Sequence, residues 1–149
     1  MSDALLRTLH VAGAVLLLGN VTVTGFWAAF LYRARDLVPF RPVAHAILWA
    51  DFVFTLAGGA LLTVSGILLV VRRGYRPLET PWLLHGIVAL AVATVIWLAV
   101  LLPDQWRLER LAPGDDRGLR RLFLRWSVVG WADTLILFYG LWAMVGKAV

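Results

Sequence analysis

Cysteine is absent from this chain of 149 residues, and charged residues are scarce. Without cysteine the chain has no disulfide, no thiolate zinc site and no covalently attached c-type haem. Charged residues make up 15% of the sequence, against about 25% in an ordinary soluble domain. Together with 61% hydrophobic residues and a mean hydropathy of +0.82, this excludes a disordered chain, a nucleic-acid-binding module and a typical cytosolic enzyme. The composition indicates an integral membrane protein.

Four hydrophobic stretches are long enough to cross a membrane. A transmembrane helix needs about 20 mostly apolar residues, and such runs lie at about 5–31, 44–71, 82–102 and 126–145. The first run is too long for a secretion signal and ends in arginines rather than in a cleavage site, so we expect it to be retained. We predict an all-α fold, in which an integral membrane antiparallel four-helix bundle forms a single transmembrane domain over residues 1–149.

The basic residues predict how this bundle lies in the membrane. Four spans place both termini on the same side. Nine of the 14 Lys and Arg residues lie in or beside the first and third connections, and the other five lie near the termini or in the second connection. Because cytoplasmic loops carry an excess of positive charge, we expect the first and third connections inside the cell and both termini outside.

Two histidines and a methionine share one depth near the predicted outer ends of the spans. His10 and His85 each lie a turn or so inside a span, and Met144 lies near the end of the fourth. Two imidazoles on facing helices suit axial ligation of haem b, and the Met144 thioether is able to replace one of them. One hypothesis therefore makes His10 and His85 the haem-iron ligands. The alternative is that both are interfacial and bond to backbone, lipid headgroups or water.

Asn20, Asp51 and Asp133 form a second polar layer, deeper in the membrane. A charged aspartate at the centre of a span costs roughly 2.5–3.5 kcal/mol on insertion scales. We therefore expect the two carboxyl groups to be hydrogen-bonded to each other or to Asn20, Thr24 or Thr55. One interpretation is a proton relay that serves redox chemistry or transport. The other is that these bonds only hold the helices together.

The remaining polar and aromatic features are expected at the membrane surface. Residues 103–125 mix both signs of charge and are predicted to form a loop with a basic amphipathic turn on anionic lipid. His45, at the cytoplasmic edge, is interpreted as interfacial. No nucleophile triad, phosphate loop or metalloprotease helix is present, so no catalytic residue is identified. The tryptophans near span ends are predicted to form the interfacial belt; they are Trp49, Trp82, Trp106, Trp126 and Trp142.

The opening Arg7-Thr8-Leu9-His10, followed by Gly13 and Gly19-Asn20, resembles the first helix of a known family. This is a bacterial family of small, four-helix predicted integral membrane proteins of unknown function. The resemblance covers essentially the whole chain and implies a location in the bacterial inner (plasma) membrane. Further matching segments are Ala50-Asp51-Phe52-Val53-Phe54-Thr55, Gly58-Gly59-Ala60-Leu61-Leu62 with Ser65-Gly66, Leu101-Leu102-Pro103, and Arg125-Trp126 with Gly130-Trp131.

The first two helices are more distantly similar to HemJ-type protoporphyrinogen oxidases and CopD-like copper-resistance proteins. In HemJ-type proteins the first-helix histidine is implicated in haem b binding, and His10 is the matching position. The Trp-Leu-His-x-Lys motif of their third helix is altered here to Trp82-Leu83-Leu84-His85-Gly86, and their Asn-Glu pair before the fourth helix is absent. Met144 is the only methionine after the start. The resemblance therefore implies a haem-capable bundle, without porphyrinogen oxidation or methionine-rich copper sites.

Three functions remain open. The first is a b-type cytochrome-like electron carrier that binds haem b and exchanges electrons with a quinone or a membrane redox partner. The second is a non-catalytic membrane subunit whose polar residues only join helices. The third is a small proton-coupled transporter that uses Asp51 and Asp133 and works as a homo-oligomer. In all three the lipid bilayer is the surrounding partner, and nucleic acid is not a partner.

Overall fold

Four long helices follow one another along the chain and are joined by short connections. The computed structural model describes residues 2–112 and 114–147. The helices are α1 (Asp3–Arg33), α2 (Phe40–Arg73), α3 (Pro81–Glu109) and α4 (Asp116–Gly146), and each is long and apolar enough to cross a membrane. The described residues contain no strand, so the all-α prediction is confirmed.

All four predicted spans lie within these helices, but the predicted loop at 103–125 is wrong. Its first part continues α3 to Glu109, and its second part is the beginning of α4. α4 begins at Asp116 because the Asp115 carboxylate caps it, accepting a hydrogen bond of 2.9 Å from the backbone N–H of Gly118. The true connection is therefore residues 110–115. We call the end of the bundle with connections 34–39 and 110–115 the arginine-rich end.

α2 and α3 each contain one π-helical turn, at Asp51–Leu56 and at Trp97–Leu101. The turn in α3 immediately precedes Leu102 and Pro103. A proline nitrogen has no hydrogen to donate and its ring crowds the carbonyl four residues earlier. The wider π-helical turn relieves this conflict and lets the helix continue. Proline therefore alters this helix without ending it.

The helices pack as two pairs. α1 packs along Ala57–Arg73 of α2, and Pro81–Ile96 of α3 packs along α4. Contacts between α1 and α4 join the two pairs. Glycine allows the closest approach, because a Cβ atom added at Gly13 would lie 2.5 Å from the backbone nitrogen of Leu62. Such backbone contact at small residues is typical of helix association in lipid.

The bundle is closed at the arginine-rich end and open between α2 and α3 further away. At the closed end Phe40–Ala50 of α2 packs on Leu102–Glu109 of α3. There the Phe123 ring stacks on Tyr32 with centroids 3.9 Å apart. Within the described part of the chain, Ala57–Arg73 of α2 and Pro81–Ile96 of α3 make at most marginal contact. A gap between these two helices therefore faces the surroundings of the bundle.

Candidate functional site

A cavity of about 350 Å³ lies inside the bundle, and all four helices line it. Half of the residues that line it are leucine, valine, alanine or tryptophan, and threonine and glycine make up most of the other half. The charged residues that line it are Asp51 and Asp133, and none of the described lining residues is Lys, Arg or His. The sequence had placed these two aspartates in one layer, and the structure brings both to one cavity.

Asp51 is a buried carboxylate whose two oxygens are both occupied. Oδ1 accepts hydrogen bonds from Asn20 Nδ2 at 2.8 Å and from Thr55 Oγ1 at 3.0 Å. Oδ2 accepts one from Gln105 Nε2 at 2.5 Å, and Trp97 Nε1 lies 3.5 Å away. These donors come from α1, α2 and α3. Asp51 therefore joins three helices, which is the helix-linking role expected of such a residue.

The bonds around Asn20 complete this network. Asn20 Nδ2 also donates to Thr55 Oγ1 at 2.9 Å, and its carbonyl oxygen accepts from Thr24 Oγ1 at 3.1 Å. The predicted bonds of the Asp51 carboxylate to Asn20 and Thr55 are confirmed, whereas Thr24 bonds to Asn20 and not to a carboxylate. A functional role for this layer stays a prediction.

Gln105 and Trp97 are the site residues that sequence reasoning missed. Gln105 was hidden by the assumption that Pro103 ends the third span, whereas Trp97 lies inside the predicted span and was not assigned a role. Because the helix continues, Gln105 is buried in the bundle rather than lying in a loop. Trp97 belongs to the π-helical turn of α3, as Asp51 and Thr55 belong to that of α2. Turns of this kind are frequent at functional sites.

Asp133 differs from Asp51 because its carboxyl group has no partner. The residue is 5% exposed, its Oδ1 atom is buried, and no described side chain or backbone group bonds to it. The expected bond between the two aspartates is not present in the structure. Buried polar groups are nearly always hydrogen-bonded. An isolated carboxyl at this depth therefore needs a proton, a water molecule or a ligand.

Two further buried polar atoms at the same cavity are unpartnered among the described residues. They are Gln105 Oε1, an acceptor, and Trp126 Nε1, a donor. Both residues line the same cavity as Asp133. Trp126 was predicted to lie in the interfacial belt, and this is wrong, because its ring is 7% exposed and packs in the core. Three residues that line one cavity therefore each have an unpartnered group: the Gln105 amide oxygen, the Trp126 indole N–H and the Asp133 carboxyl.

The two histidines proposed as haem ligands bond to different neighbouring helices. His10 Nδ1 lies 2.9 Å from the Leu62 carbonyl oxygen of α2, and the ring packs against Gly66. His85 Nδ1 lies 2.5 Å from the Tyr139 hydroxyl of α4. For each ring, the Nε2 atom has no partner among the described residues. The structure records no contact between the two rings.

Met144 packs against Gly86 of α3, one residue after His85. The residues that line the cavity of Asp51 and Asp133 do not include His10, His85 or Met144. In the described part of the chain, no group of three or more His, Cys, Asp or Glu side chains is arranged to hold a metal ion. Ligation of haem iron by His10 and His85, with Met144 as a substitute, stays a prediction.

The arginine-rich end is fastened by ion pairs. Asp104, which the sequence placed in a solvated loop, is fully buried and pairs with Arg125 of α4 and with Arg107 of α3. His45 of α2 pairs with Glu109 of α3 at 2.6 Å, consistent with the edge position expected for it. These contacts join α2, α3 and α4 at the arginine-rich end of the bundle.

A family model matches nearly the whole chain. The family model described as "Predicted integral membrane protein (DUF2269)" matches residues 4–148. No curated protein matches the chain, and no solved structure does. The more distant similarity to HemJ-type and CopD-like proteins is not shown. The four apolar helices and this match lead to one conclusion: the chain belongs to the DUF2269 family of predicted integral membrane proteins.

Proposed function

We propose that this protein is a small proton-coupled transporter in which Asp133 is the working carboxyl group. The observation that supports this most directly is the buried Asp133 carboxyl, which faces the cavity without a partner. A carboxylate without partners is costly in an apolar interior, whereas a protonated or ligand-paired one is not. Asp133 therefore has two stable conditions, one with a proton and one with a bound ligand. Alternation between them couples a proton to a ligand.

Asp51 has a different part in this proposal. Its donors from three helices compensate its charge without a ligand. It therefore holds the helices around the cavity and leaves proton exchange to Asp133. A single four-helix bundle offers little protein to close the gap between α2 and α3, so we propose that the working form is a homo-oligomer.

The experiment that tests this function is infrared spectroscopy of the protein in lipid, recorded along a pH titration. In the native protein we expect a carbonyl band of a protonated carboxylic acid that disappears as the pH rises. Asp133→Asn should remove this band, and Asp36→Asn, which changes an exposed aspartate outside the cavity, should leave it unchanged. A band that persists in Asp133→Asn contradicts the proposal and favours the non-catalytic membrane subunit.

The second candidate is the haem-binding electron carrier, and one observation supports it. Both His10 and His85 have Nδ1 held by an oxygen atom and Nε2 without a described partner. Metal-binding histidines usually have this arrangement, because the bond at one nitrogen orients the other toward the metal. Bound haem b would supply one-electron transfer, with a quinone or a membrane redox protein as partner.

A visible spectrum of the detergent-purified protein, oxidised and reduced, tests this candidate. Split α and β bands that disappear in both His10→Ala and His85→Ala would establish the two ligands. Bands lost only in His10→Ala would indicate Met144 or another second ligand. A colourless protein from haem-replete cells would exclude this candidate.

We propose the bacterial inner membrane as the location, with both termini outside the cell. The supporting observation is the distribution of arginine, since the arginine-rich end carries most of the basic residues. Basic residues favour the cytoplasmic side. On this orientation the side-chain pairs of Asp104 and Glu109 lie toward the cytoplasmic side, and the gap between α2 and α3 lies in the outer half of the bilayer.

A further inference from the structure

We propose that the cavity binds a protonated amine with an apolar or aromatic body, and that this amine comes from the bilayer through the gap between α2 and α3. The inference rests on the proposed function, because it assigns the ligand class of the site built around Asp133. It is carried by the charge of the cavity, its unpartnered atoms, its aromatic walls and its opening.

The charge of the cavity selects a cation. Its described lining contains two carboxyl groups and no basic side chain. The Asp51 carboxylate is already compensated by its donors, but Asp133 is not. A positive group beside Asp133 would form a charge-assisted hydrogen bond in a place where water competes little. An anion would meet two carboxyl groups and no cation.

The unpartnered atoms select a cation that carries hydrogen. Asp133 Oδ1 and Gln105 Oε1 are both acceptors, and both lack a donor among the described residues. An ammonium group carries up to three N–H donors and no acceptor, so it suits an acceptor of this kind. A quinone carbonyl is an acceptor and finds only one free donor here, Trp126 Nε1. The balance of free atoms therefore favours an amine over a quinone.

The walls of the cavity fit the apolar part of such a molecule. Rings of Trp97, Trp126 and Trp131 line it together with leucine and alanine side chains. A cation near the face of a tryptophan ring is attracted by the negative face of the ring, and more strongly when water is excluded. Aromatic walls around one carboxyl group therefore favour an organic cation over a hydrated metal ion, which prefers several oxygen ligands.

The gap between α2 and α3 indicates the route. Leu56 and Val64 of α2 line the cavity and are 45% and 58% exposed, so the cavity reaches the outer surface of the bundle there. In a membrane-spanning chain this surface faces lipid tails. In the part of the bundle beyond the arginine-rich end, Ala57–Arg73 of α2 and Pro81–Ile96 of α3 make at most marginal contact. A lipid-soluble amine is thus able to reach Asp133 without crossing the closed, arginine-rich end.

The test compares two probes that differ in charge, 4-phenylbutylamine and 4-phenylbutanol. Each is dialysed to equilibrium against the full chain in a non-ionic detergent at neutral pH. We expect the amine to bind at least about tenfold more tightly than the alcohol, a ratio that corresponds to roughly 1.4 kcal/mol. Asp133→Asn should abolish this preference, and Asp36→Asn should retain it.

Several results would overturn the proposal. Equal binding of amine and alcohol by the native protein would do so without any variant, which keeps the test decisive if Asp133→Asn fails to fold. Tighter binding of a short-chain ubiquinone than of the amine would assign the cavity to a neutral quinone instead. Loss of the infrared band in Asp133→Asn together with no amine preference would leave proton exchange standing and reject only the ligand class.

Discussion

At the scale of single residues, the two aspartates of the polar layer have opposite surroundings. Asp51 is surrounded by donors from three helices, whereas Asp133 has none among the described residues. Residue type and depth are the same for both, so the difference lies entirely in the neighbours. A carboxylate with donors stabilises the fold, and one without donors is available for chemistry.

Replacing each aspartate by asparagine should separate these two roles. The two oxygen atoms of the Asp51 carboxylate face four donors. In Asp51→Asn an NH2 group, itself a donor, replaces one of these oxygens. Leaving buried donors unsatisfied costs about 1–3 kcal/mol, so we expect a clear drop in the thermal unfolding temperature in detergent. Asp133→Asn removes no described bond, and its unfolding temperature should stay the same or rise.

Thermal unfolding followed by circular dichroism measures both variants under identical conditions. Equal losses of stability in the two variants would contradict the distinction, since it would mean that Asp133 has a partner that stabilises the fold. A more stable Asp51→Asn variant would show that its network does not hold the helices together.

Sequence alone predicted half of this polar network. Asn20, Asp51 and Thr55 were expected to meet, because helical periodicity puts each on the inward face of its span, and the structure confirms their bonds. Gln105 was not expected, because it follows Pro103 and proline usually ends a helix. The missing partner of Asp133 was beyond prediction, since it depends on how far neighbouring helices stand apart.

At the scale of helices, the four spans were predictable and their ends were not. Hydrophobic length alone identifies a span, and all four were found. Polar helix ends are less visible, as Asp115 shows by starting α4 ten residues before the predicted span. The π-helical turns could not be recognised in the sequence. Each turn shifts the spacing of the inward-facing residues and adds no repeating pattern of its own.

The close contact between α1 and α2 requires glycine at position 13 but not at position 19. A Cβ atom at Gly13 would lie 2.5 Å from the Leu62 nitrogen and 2.8 Å from the Gly58 carbonyl oxygen. At Gly19, one and a half turns later in α1, an added Cβ atom would meet nothing within 4 Å. The two positions therefore form a matched pair.

Gly13→Ala should destabilise the bundle by about 1–3 kcal/mol, the usual cost of an added methyl group in a tight contact. Gly19→Ala should be neutral or stabilising by up to about 1 kcal/mol, because alanine favours the helix. Chemical denaturation in detergent measures both. A Gly13→Ala variant as stable as Gly19→Ala would mean that α1 and α2 do not touch at this point.

At the scale of the whole molecule, the bundle has one fastened end and one open side. The buried Asp104 pairs and the aromatic cluster hold the arginine-rich end, while α2 and α3 stand apart beyond it. The ion pairs of the buried Asp104 therefore lie at one end, and the opening lies toward the other. This asymmetry makes the orientation of the protein in the membrane a question of function, since it decides which leaflet the opening meets.

The orientation has a direct test, because the chain contains no cysteine that would react in the background. Leu78 in the second connection is 86% exposed, and Leu37 in the first is 87% exposed, so the two sites are matched in accessibility. In intact cells a membrane-impermeant maleimide should label Leu78→Cys but not Leu37→Cys. After permeabilisation both should react. Labelling of Leu37→Cys alone in intact cells would reverse the orientation.

The π-helical turns also bear on where a residue can be deleted from this chain. Each turn holds its surplus residue between two stretches of ordinary α-helix. Deleting one residue from Asp51–Leu56 would let the ladder close as α-helix, because a π-helical turn joins residues five apart where an α-helix joins residues four apart. Phe40, Ala44 and Ile47 would then keep their places in the core that they form with α3 and α4. The same deletion from the regular α-helix of Ala57–Arg73 would rotate one flank by about 100° around the axis. Single-residue gaps should therefore be tolerated better in the two π-helical turns than elsewhere in the helices.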